Sequence, residues 1–122
     1  MKRSATHADA FDRVRTVGLT LPGVEAVKRY DGATVLKLRG CFRAGIASHP
    51  SAEPNSLVVR CDVDQRELLL EDAPDTYYVT AFYEKHPLVL ARLSHLTRDA
   101  LRDLLSVSHR LTSQKARTGG MG

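Results

Sequence analysis

Cysteine is scarce in this chain. Cys41 and Cys61 are the only two, too few for a disulfide scaffold, and a reducing cytoplasm is the expected compartment. No apolar run approaches the ~18 residues of a membrane span. The start, Met-Lys-Arg-Ser-Ala-Thr-His, is basic but lacks an apolar core segment, so no secretory signal is expected. Metal-binding spacings are missing too: there is no Cys-x-x-Cys, His-x-x-x-His or Glu-x-x-His. Gly-x-Gly-x-x-Gly and Walker-type loops are also lacking, and Gly119-Gly120 lies in the tail. Ser48-His49 and Ser108-His109 are sequence neighbours without a nucleophile elbow. Cys41 between Arg39 and Arg43 is read as an ordinary exposed thiol. The expectation is a protein that is not an enzyme and carries no cofactor and no metal.

What is present is a normal folded composition, 43% hydrophobic and 26% charged. At 122 residues the chain makes one domain, placed over residues 1–113, with a patternless tail at 114–122 expected to be disordered. Charge is segmented. Residues 28–60 carry six basic and two acidic groups, residues 61–84 one basic and seven acidic, and residues 85–122 seven basic and two acidic. The net +4 thus comes from two basic stretches around an acidic one, a polarity that attracts anions.

Periodicity orders the elements. Phe11, Val14, Val17 and Leu21 form one stripe of a helix over 7–20, with Thr6 as N-cap, Asp9 in its first turn and Pro22-Gly23 as its stop. The period then falls to two, predicting strands at 25–30, 33–39, 42–48 and 56–62, with a turn at Asp31-Gly32. Each strand has an apolar and a largely polar face. Residues 48–55 read as a loop. A second helix opens with Asp64 as N-cap and Glu67 as its capping-box partner, and ends at Asp72-Ala73-Pro74. Strands follow at 77–83 and 88–96. Thr97 caps a last helix to 113, with Leu101, Leu104, Leu105 and Leu111 as its buried stripe. The fold class is α+β: two layers, an antiparallel sheet and helices on one face, in the order α-β-β-β-β-α-β-β-α.

Strand parity makes a sharper statement. Matching apolar faces pairs Leu36 with Ala44 and Leu38 with Phe42 around a loop Arg39-Gly40-Cys41; it also pairs Phe42 with Cys61, Ala44 with Val59 and Ile46 with Leu57. If no bulge intervenes, Cys61 points inward, away from Cys41, which disfavours a disulfide. Lys37, Arg43 and Arg60 then stand together on the outer face, with Arg39 at the adjacent turn. The first functional expectation is a DNA or other polyanion site on Lys37, Arg39, Arg43 and Arg60. The second is a protein-interaction or small-ligand groove lined by Tyr77, Tyr78, Phe82 and Tyr83 in the acidic segment. Membrane association is not expected, and oligomeric state stays open.

Leu21-Pro22-Gly23-Val24-Glu25 after the first helix, Leu36-Lys37-Leu38-Arg39-Gly40 followed by Phe42, the run from Asp64 to Pro74, Tyr83, and Val89 to Leu93 before the final helix together resemble the MmcQ/YjbR family over about residues 8–115. The resemblance implies a two-layer α+β domain similar to double-wing DNA-binding and frataxin-like folds. Two positions depart from the family pattern: Cys41 stands where a lysine is frequent, and no tryptophan occurs near His86-Pro87-Leu88. Asp9 and Asp12, mixed with Arg13 and Arg15, do not make the acidic ridge of a frataxin-like iron site.

Overall fold

The structure, a computed structural model, describes residues 7–106 and, of residues 7–10, the backbone alone. Thr6, the side chain of Asp9, Ser108, His109, Leu111 and the segment 107–122 lie outside the described residues.

Helix α1 runs His7–Gly18 and buries Phe11, Val14 and Val17, the stripe set by three- and four-residue spacing. Six strands follow, β1 Val24–Lys28, β2 Thr34–Leu38, β3 Cys41–Ile46, β4 Ser56–Arg60, β5 Tyr77–Tyr78 and β6 Leu88–Arg92. They form one sheet in the order β1-β2-β3-β4-β6-β5, antiparallel at every pairing. Helix α2 spans Val63–Asp72, a short α3 spans Ala81–Glu84, and α4 occupies residues 98–106. On one face of the sheet, α1, α2 and α4 bury Leu36, Ala44, Ile46, Leu57, Val59, Val89 and Ala91 in a single core.

The register expected between β2 and β3 holds at Leu36↔Ala44 and then shifts: Lys37 faces Phe42 and Leu38 faces Cys41. The cause is the turn. Arg39 and Gly40 both take positive φ, 54° and 81°, the two-residue geometry whose twist matches a hairpin. A three-residue loop is not needed, so one residue of β3 is left over, and Arg43 is it. Such a bulge reverses parity for the residues beyond it. Phe42 therefore packs on the reverse face with Val58, Tyr83 and Leu90, and the expected Phe42–Cys61 pair does not form. The Ala44↔Val59 and Ile46↔Leu57 pairs do. Gly45 makes room for this, since a Cβ there would lie 2.7 Å from Val35 and 3.3 Å from the Phe42 ring. The reverse face is thus apolar in its middle rather than largely polar.

Three further boundaries differ from the sequence reading. Asp62, not Asp64, caps α2, its Oδ1 accepting from the Gln65 N–H at 2.7 Å; helical hydrogen bonding begins as soon as β4 ends. The segment 77–83 is a two-residue strand followed by α3, and Tyr83 lies buried against the reverse face. The last strand stops at Arg92, and Leu93–His95 form a 3-10 turn that Arg13 clasps through bonds to the Leu93 and Leu96 carbonyls. Thr97 caps α4 as expected, accepting from the Ala100 N–H at 3.0 Å, and Leu101, Leu104 and Leu105 are buried.

Arg66 is a structural residue that composition does not reveal. It lies 6% exposed and donates Nη1 to the carbonyls of Glu84, His86 and Leu88 at 3.0–3.3 Å, joining α2 to the α3–β6 connection. Arg66→Ala should cost about 2–3 kcal/mol, the range for charged hydrogen bonds lost with acceptors left behind. Urea unfolding measures it.

Candidate functional site

The end of the sheet that carries the β2–β3 turn is built from basic residues. Lys37 on β2 and Arg60 on β4 share strand parity with Val35 and Val58 and are half-buried, while Arg39 in the turn is exposed. Arg60 pairs with Leu88 at the start of β6, and this brings Lys85 and His86, both exposed, to the same end. Sequence reading did not group Lys85 with the others, because only the β4–β6 pairing unites them. Carboxylates are near: Glu25 is the register partner of Lys37, and Asp62 caps α2.

Arg43 departs from the expected outer row. As the extra residue of the bulge it is only 1% exposed. Burial first, and then the neighbouring Arg60 charge, lower its pKa to about 10. It remains a cation at neutral pH, held behind the surface on which Arg60 and Arg39 stand. The four predicted basic residues thus share one end of the sheet, with three accessible and one behind.

The four predicted aromatics do not line one groove. Tyr77 lies in the main core, where burial, then Asp72 and Asp103, push its phenol up. Tyr83 belongs to the reverse-face cluster with Tyr78 packed against it. Phe82 is 44% exposed, and its ring is stacked on His49 at 3.6 Å between centroids. These rings fasten the loop between β3 and β4. The Tyr83 hydroxyl accepts from the His49 N–H at 3.1 Å and the Tyr78 hydroxyl from the Glu53 N–H at 2.8 Å; Tyr78 also bonds Ser56. Ser51 joins His49 Nδ1 to Thr80 through 2.9 Å contacts. Arg92 completes the fastening, its Cζ 4.4 Å from the Tyr78 ring centre and its guanidinium bidentate on Glu53 at 2.7 and 2.9 Å.

Cys41 is exposed and Cys61 buried, both as free thiols. Among the described residues, no group of three or more His, Cys, Asp or Glu is placed to hold a metal ion, and no helix is long and apolar enough to cross a membrane.

The fold defines a class: an α+β domain with an open antiparallel sheet of six strands. No protein-family model and no curated protein matches the chain. Among solved structures it is similar to the crystal structure of Deinococcus radiodurans protein DR2400, which carries a domain of the DUF419 family model; 22% of residues are identical, the TM-score is 0.67, and the match covers 86% of this chain and 79% of that one. At this identity the likeness shows a common fold.

Hydrogen bonds from Arg92 hold the Glu53 carboxyl below the usual glutamate range. The tie is therefore fully present above the unfolded value of Glu53 and is lost as pH falls through the lowered folded value. Protection of the Ala52 and Glu53 amides against hydrogen exchange should drop below about pH 4, and Glu53→Gln should remove that pH dependence.

Proposed function

We propose that this protein is a non-enzymatic binder of a polyanion, with duplex DNA as the partner, and that it contacts phosphates through Lys37, Arg39, Arg60 and Lys85. One observation carries the reading. Arg43 and Arg60 lie at neighbouring positions of β3 and β4, where one guanidinium is buried and each repels the other. Two like charges so placed, with Arg39, Lys37 and Lys85 at the same end of the sheet, concentrate positive potential where a phosphate at Arg60 meets it. Buried behind the contact surface, Arg43 adds positive potential without spending side-chain freedom on each encounter. The resemblance to the MmcQ/YjbR family, with its double-wing DNA-binding-like fold, supports the same reading. Phosphate contacts of this kind give affinity without base specificity, and cytoplasmic DNA is the setting that fits two free thiols.

The aromatic groove is not adopted as a second reading. Tyr77 and Tyr83 are buried in separate clusters, and the hydroxyls of Tyr78 and Tyr83 are engaged in holding the loop.

Anisotropy titration of a labelled DNA duplex tests the proposal. Binding should be detectable at ~50 mM salt and fall with a log–log slope between about −3 and −4, the counterion release of four phosphate contacts. Arg39→Glu combined with Arg60→Glu should abolish it while the thermal unfolding transition stays in place. Arg43 is unsuited to charge reversal, because a buried carboxylate there would damage the fold. Absence of binding at low salt, or a flat salt response, would refute the reading.

A further inference from the structure

At the opposite end of the sheet, α1 stands over the β1–β2 turn and the end of β3, and between them lies a cavity of about 730 Å³. That volume is in the ordinary range for small-molecule sites. Its floor is apolar: Phe11 and Ile46 reach it from the main core, and Ala33 also lines it. Its rim is charged and largely compensated internally. Arg29 sends Nε and Nη2 to the two Asp31 oxygens at 3.0 and 3.1 Å, and Nη1 to the Ile46 carbonyl at 3.1 Å. Asp31 is fixed in turn by the Ala33 N–H. Arg15 is paired with Asp12. Lys28 also lines the cavity and has no ion-pair partner among the described residues.

The site thus combines an apolar floor, a charged rim and, among the described residues, one positive charge without an ion-pair partner. We propose that this cavity binds a small organic monoanion with an apolar body, such as an aromatic carboxylate, whose ring lies on Phe11 and Ile46 and whose carboxylate meets Lys28. A dianion finds no second uncompensated cation among the described residues of the rim, and a neutral body leaves the Lys28 charge unmatched. A cationic ligand is disfavoured by Lys28 itself. Arg29 and Asp31, bonded to each other and to the backbone at Ile46 and Ala33, preorganise that side of the rim, which lowers the ordering cost of binding. The site is independent of the phosphate-contacting end, since Lys28, Thr34 and Ile46 lie at the far ends of their strands from Arg39 and Cys41.

The probes are 1-naphthoate and 1-naphthamide, which share a ring system and differ in charge. Each is titrated into the full chain with amide NMR shifts as the readout. Naphthoate should give saturable shifts confined to α1, residues 28–34 and residues 46–48, and bind about tenfold more tightly than naphthamide, the scale of one charge contact at a water-exposed rim. Lys28→Gln should erase that difference while leaving naphthamide binding unchanged. Equal affinity for the two probes in the wild-type chain, shifts mapping elsewhere, or no saturation with naphthoate would each overturn the proposal. The wild-type comparison stands whether or not the variant folds.

Discussion

One surplus residue in β3 organises this molecule. A two-residue turn at Arg39-Gly40 brings Leu38 opposite Cys41, yet Leu36 lies opposite Ala44, so the strand must absorb an extra residue between them. Below the bulge, Ala44 and Ile46 face the helices and share the main core with Leu57 and Val59. Above it, Phe42 is delivered to the reverse face. A one-residue change of register exchanges the two faces of a strand, and the bulge confines that exchange to one end of the hairpin. The same insertion buries Arg43 and sets it beside Arg60. The electrostatics of the basic end follow from backbone geometry as much as from composition.

The second consequence is that the sheet needs cover on both sides. Val58, Leu90 and Phe42 cannot face water together, and the layer above them is thin: α3, and the loop between β3 and β4, which contributes Ala47 and Ala52. Such a layer has little apolar area of its own, and phenol hydroxyls, backbone N–H groups and the Arg92–Glu53 pair hold it in place. A satellite cluster under a fastened loop is a common way to shield a second face. It also accounts for the aromatic density of residues 77–83, which serves packing here.

What could be read from sequence divides along the reach of each interaction. The α1 stripe, the Thr97 cap and the alternation in β2 and β4 depend on residues a few positions apart, and they were legible. The bulge was not, because Phe42 fits an inward pattern as well as an outward one, and the choice belongs to the turn. Asp62 and Asp64 are two equivalent caps by residue type, separated only by where β4 stops. The strand expected over 77–83 failed because β5 finds a partner only for Tyr77 and Tyr78. Lys37, Arg39 and Arg60 could be grouped from parity, whereas Lys85 joins them through a strand order that skips β5. The cavity beside α1 draws on three segments of the chain, and no local pattern announces it.

The two thiols differ sharply in chemical availability. Burial pushes Cys61 up to about 11 and closes it to reagents, while Cys41 stands exposed at the start of β3. Maleimide chemistry on the unaltered chain therefore installs a single fluorophore or spin label, and it does so next to the Arg39-Gly40 turn. The molecule carries its own attachment point for a reporter at the edge of its basic end.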